Sequence, residues 1–93
     1  MIKTSKFDAA DYLKSPQAMA YYLSEALVAD DVEFICVALD TIARAKGLTQ
    51  AARESLYKSL GDKTKPEFDA VRRAIVSLDL KLVAEPIEKT EAA

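Results

Sequence analysis

Histidine and tryptophan are absent from this chain of 93 residues, cysteine occurs once, glycine twice and proline three times. Without histidine, and with a lone cysteine, metal sites and the common acid–base and nucleophile–base pairs lose their usual members. Neighbouring carboxylates such as Asp30 and Asp31 read as the start of a helix, not as a catalytic pair. The sequence therefore points away from an enzyme and implies neither metal nor cofactor. Cys36 cannot form an internal disulfide and, set in an apolar helical stretch, reads as a small buried hydrophobe. No apolar run approaches the ~20 residues of a membrane span, and no signal-peptide pattern opens the chain. A cytoplasmic protein without a membrane segment is the expectation.

What is present leans towards helix. Ala, Leu, Glu and Lys are abundant, half of the residues are apolar and 30% are charged, as in a single soluble domain. The net charge of −2 hides an asymmetry. Residues 1–39 carry three Lys against six acids, residues 40–81 nine Lys or Arg against six acids, and residues 82–93 one Lys against three Glu. The middle is thus the basic part, the direction that phosphate binding needs.

The punctuation predicts the helices. A short first helix starts near Phe7 or Asp8 and ends around Lys14. Ser15-Pro16 restarts the chain, Ser as cap and Pro at the first helical position, with Met19, Tyr22, Leu23, Ala26 and Leu27 on one face. Asp30 is placed to cap the next helix, with Glu33 answering, and Ile35, Ala38, Leu39, Ile42 and Ala43 repeat the spacing until Gly47. Gly61-Asp62-Lys63 marks a loop. Thr64-Lys65-Pro66-Glu67 then opens a last helix, with Thr64 as cap and Phe68, Val71, Arg72, Ile75 and Leu78 inward. Aliphatic parts of Arg72 are expected along the core, whereas Arg72 and Arg73 could equally face an acidic partner or solvent. Leu80 to Glu85 alternates largely with period two and predicts a strand that pairs outside itself, most simply with a second copy through Leu80, Leu82 and Val83. Packing of Leu82 and Val83 on their own domain is the competing reading. One domain over 1–86 with a polar tail over 87–93 results.

Between Gly47 and Leu60 the chain reads like the two DNA-facing helices of a helix-turn-helix with the turn cut out. Thr49 is a natural cap; Gln50 and Arg53 lie one turn apart, where a duplex phosphate could meet them. Ser55, Tyr57 and Lys58 would follow as base or phosphate contacts, Tyr57 equally as a half-buried packing residue. Leu56 and Leu60 belong to the core. A helix-turn-helix needs a turn of about three or four residues, yet no Gly, Pro, Asn or Asp lies between Thr49 and Leu60. Either one continuous helix of ~18 Å forms, or the chain bends sharply within Ala52 to Ser55. Helix propensity favours the first.

Taken together, Phe7-Asp8 with Asp11-Tyr12-Leu13, Tyr22-Leu23 with Glu25-Ala26-Leu27, Ile42-Ala43-Arg44-Ala45-Lys46-Gly47, Thr49-Gln50 with Ala52-Arg53, and Glu54 to Leu60 resemble the probable addiction module antidote proteins. Pro66 with Phe68, then Leu78 and Leu80 through Pro86, continue the likeness. These are small antitoxins of type II toxin–antitoxin operons. The resemblance implies an all-α, lambda-repressor-like DNA-binding domain of five to six helices with a short C-terminal β-strand. It implies a small basic RelE-like ribonuclease as partner toxin and a homodimer that represses its own operon through operator DNA. The chain departs from the family pattern by lacking several residues, including a Gly-containing turn, between Arg53 and Glu54. A protein-interaction module that has lost DNA binding, or a stand-alone phage-type repressor, are the alternatives.

Overall fold

The computed structural model describes residues 8–29 and 31–87. Among them the chain forms a 3-10 turn, Ala9–Tyr12, and four α-helices: α1, Pro16–Val28; α2, Val32–Ala45; α3, Gln50–Ser59; α4, Phe68–Ser77. The all-α class holds. Five to six α-helices and a C-terminal strand do not appear among the described residues, and the causes are local.

The helix starts follow the caps. Asp8 accepts from the Ala10 N–H at 3.1 Å and opens the 3-10 turn in place of a longer first helix. Ser15, in extended backbone, accepts from the Ala18 N–H at 3.1 Å, and Pro16 takes the first helical position as expected. For α2 the cap is Asp31, whose carboxylate accepts from the N–H groups of Glu33 and Phe34 at 3.1 and 3.3 Å; Asp30 lies outside the described residues. The start of α4 also differs from expectation. Thr64 does not cap it, because Asp62 captures both the Thr64 N–H, at 2.9 Å, and its hydroxyl, at 2.7 Å. Helix α4 begins only at Phe68, preceded by Glu67 without a capping side-chain bond. An Asx-type turn has outcompeted a helix start.

The helix ends are equally specific. Gly47 has φ +86, its N–H donates to the Arg44 carbonyl at 3.0 Å, and the Leu48 N–H donates to the Ala43 carbonyl at 3.1 Å. This is the Schellman closure that glycine permits without strain. Helix α4 closes the same way through Asp79, which stands at φ 66 despite carrying a side chain. Its N–H donates to Val76 at 2.9 Å, and the Leu80 N–H donates to Ile75 at 3.1 Å.

The core gathers Leu13, Met19, Leu23 and Ala26 with Cys36, Ala38, Leu39, Ile42 and Ala43 of α2, then Leu60, Val71, Ala74, Ile75 and Leu78. Tyr22 of α1 meets Phe34 of α2 edge to face, with centroids 6.3 Å apart. Burial pushes the Cys36 thiol above its ordinary pKa. Thr41 is buried with its hydroxyl donating to the Val37 carbonyl at 2.9 Å, so no polar group is orphaned there. Phe68, expected inside, is 70% exposed, because α4 turns Val71, Ala74 and Ile75 inward instead. Arg72 likewise lies exposed beside Asp69 and not along the core.

Beyond Asp79, neither bend, turn nor ladder interrupts residues 80–87. Leu80 and Leu82 are half-buried against the helical body while Lys81 and Val83 are exposed. The expected strand is therefore a correction: a strand exists only through a neighbour's backbone, and the Leu80 N–H is already committed to Ile75.

Candidate functional site

Helix α3 carries the residues singled out in the sequence. Thr49 accepts from the Ala52 N–H at 3.1 Å and starts the helix. From Gln50 to Ser59 the helix is unbroken, so the segment is one rod and does not fold as two short helices with a bend. Good helix formers at Ala51, Ala52, Arg53 and Glu54, with no breaker among them, leave the chain no reason to turn. The connection from α2 to α3, residues 46–49 with Gly47, is a short Gly-containing turn between two helices.

The predicted site residues do not share one face. Gln50, Ser55 and Lys58 are exposed, with Glu54 among them; the Gln50 amide donates to the Glu54 carboxylate at 3.2 Å. Arg53 turns towards α2. Its guanidinium donates to Asp40 at 3.3 Å, its side chain is only 25% exposed, and its Nε is buried without a hydrogen-bond partner. The exposed reach that a phosphate contact needs is therefore given up to a tie between α2 and α3. Tyr57 is 39% exposed and lies under the Lys63 ammonium, 4.3 Å from the ring centroid. Leu56 is half-buried and Leu60 fully buried, as a core edge should be.

Between α2 and α3 a crevice of about 400 Å³ is lined by Val37, Asp40, Arg53, Glu54, Tyr57 and Lys58. Sequence reasoning missed Asp40, which joins Arg53 and, at 3.7 Å, Arg44. The Asp40–Arg44 pair was legible as a spacing of four residues; the Asp40–Arg53 pair has no local signal. Arg44 in turn binds Asp8 at 2.6 Å and holds that carboxyl below its ordinary pKa, assisted by the Ala10 N–H. The same contact raises the pKa of Arg44. A chain of ion pairs, Asp8–Arg44–Asp40–Arg53, thus runs from the N-terminal turn across α2 to α3.

The residues expected at a dimer contact lie elsewhere, on the segment after α4. Leu80 and Leu82 face α1 across a groove of about 400 Å³ that also involves Ala20, Ser24 and Leu27, and Val83 is 65% exposed. Among the described residues no group of three or more His, Cys, Asp or Glu is placed to hold a metal ion. No described helix is long and apolar enough to cross a membrane.

A family model described as "Probable addiction module antidote protein" matches residues 3–86. An uncharacterized protein of Haemophilus influenzae is 38% identical over 81 residues, covering 81% of this chain and 84% of its own length. No solved structure matches the chain. The family match spans every helix described above, from the 3-10 turn to Pro86 in the run after α4, and the chain belongs to the probable addiction module antidote proteins.

Proposed function

We propose that this chain neutralises a partner toxin of its own addiction module by binding it, as the antitoxin of a cytoplasmic type II toxin–antitoxin pair. The carrying observation is the family match across residues 3–86, the whole helical body. A small basic RelE-like ribonuclease suits the partner's role, since the antidote carries a net charge of −2. The mechanism is mass action: toxin held on the antidote cannot reach its RNA substrate, and the free fraction falls with antidote concentration. Co-expression with the neighbouring reading frame, followed by copurification and a growth assay, tests this. A neighbour that stays free and equally toxic overturns it.

A second reading, repression of the operon by a dimer on operator DNA, is favoured by the short Gly47 turn joining α2 to α3. It is also favoured by the exposure of Gln50, Ser55 and Lys58. Thr49, Arg53 and Tyr57 complete the residues assigned to that role. Against it stand the single unbroken rod of α3, the retention of Arg53 by Asp40, and the Glu54 carboxylate beside Gln50. We therefore place protein binding first. A gel-shift titration on the upstream operon region at rising salt decides the second reading, and no affinity at low salt ends it. A gene neighbourhood without a toxin would favour a stand-alone repressor instead.

A further inference from the structure

We infer that residues 81–85 are a self-complementary dimer strand, pairing antiparallel with the same segment of a second copy about a two-fold axis at Val83. The inference rests on the reading of the antidote as a dimer and adds its register.

Three independent features select this arrangement. The first is charge. With Val83 opposite Val83 of the partner subunit, Lys81 faces Glu85 of the partner subunit and Glu85 faces the partner subunit's Lys81, all on the exposed face. A two-fold contact requires that reciprocity, and a shift of the register by one pair breaks it. The second is the backbone. The Leu80 N–H is used by Ile75, and Pro86 has no N–H to give. In an antiparallel pair alternate residues direct both backbone groups to the same neighbour. Residues 80 and 86 are therefore matched at a position that needs no ladder bond. Residues 81, 83 and 85, whose backbone groups make no hydrogen bond within the described chain, exchange bonds in pairs. The third is the apolar side. Leu80 and Leu82 lie half-buried beside the groove with α1, and the same register lays the partner subunit's Ala84 beside Leu82, at a place with room for it.

Sedimentation equilibrium over a concentration series, with helicity checked by circular dichroism, is the test. Lys81 and Glu85 are exposed and make no ion pair within the described chain, so neither substitution endangers the fold. The parent is expected to dimerise. Lys81→Glu alone and Glu85→Lys alone each turn attraction into repulsion twice over and weaken dimerisation by about tenfold or more. An equimolar mixture of the two variants recovers parent-like affinity as a heterodimer, and so does the protein carrying both substitutions. Val83→Cys is expected to give a covalent dimer under oxidation, because directly opposed Cα atoms at about 5.5 Å lie within disulfide range. Cys36, buried in the core, does not compete. If every variant dimerises as the parent does, the register is wrong while the dimer stands. If the parent is monomeric throughout, both fall.

Discussion

Removing the Arg53 guanidinium separates a structural brace from a DNA contact. Arg53 and Asp40 are 3.3 Å apart, with side chains 25% and 33% exposed. At an effective dielectric constant of about 20 the bare attraction is about 5 kcal/mol. Desolvation and ordering offset most of it, leaving about 1 kcal/mol for a partly exposed pair. Arg53→Ala also strips the aliphatic stem from the α2–α3 contact, a further ~1 kcal/mol or more at about 0.8 kcal/mol per buried methylene. The expected loss is about 2–3 kcal/mol, or about 10–20 °C in Tm for a domain of this size. Arg53→Met keeps the stem and removes an Nε that is buried without a partner, so it destabilises less than Arg53→Ala although it removes the same charge. Thermal melts of Arg53→Ala, Asp40→Ala and the double variant form the cycle, with an expected coupling of about 1 kcal/mol. Coupling within about 0.3 kcal/mol of zero, with an unchanged Tm for Arg53→Ala, would refute the brace and return Arg53 to solvent as a free phosphate contact.

Two helix ends should respond in opposite directions. Gly47→Ala introduces a Cβ that meets nothing within 4 Å, so its expected loss of about 1 kcal/mol is backbone strain alone. Asp79→Gly relieves the same strain, and the exposed Lys46 contact it sacrifices is worth little, so Tm should rise by a few degrees, equivalent to about 0.5 kcal/mol; a fall in Tm would contradict this. Asp8, held low by Arg44, is deprotonated in the folded state at pH values where the unfolded chain is protonated. The stability it supplies is therefore present above about pH 4, the ordinary unfolded range, and is lost as pH falls through its lower folded pKa. An NMR carboxyl titration should place Asp8 below the usual Asp midpoint and return it towards that midpoint in Arg44→Gln; an ordinary midpoint in the parent disproves the tie. Cys36, buried and shifted upward, should react with an aromatic disulfide reagent only when the chain unfolds, and rapid labelling under native conditions would show that it is accessible.

Much of the fold could be read directly. The caps at Ser15 and Thr49, the glycine stops at Gly47 and Gly61, and the apolar faces of α1 and α2 each rest on a few adjacent residues, and short-range sterics and hydrogen bonds decide them. The continuity of α3 followed in the same way from the absence of any breaker after Thr49. Competition between equal local claims was less legible. Asp62 rather than helix α4 took the Thr64 hydroxyl, and Asp31 served as cap where Asp30 had an equally suitable side chain.

The amino-acid sequence by itself determined that this chain would be helical, where α1 and α3 would start, that Gly47 would stop α2, and to which family it would belong. Propensity, capping and periodicity act within a turn or two of the chain. Only the tertiary structure decided that Arg53 faces Asp40 thirteen residues earlier, that Phe68 points outward, and that the run after Asp79 lies along the helical body and pairs with no strand among the described residues. Those outcomes depend on which surfaces meet when the helices pack, a long-range competition for burial and charge that no local pattern encodes.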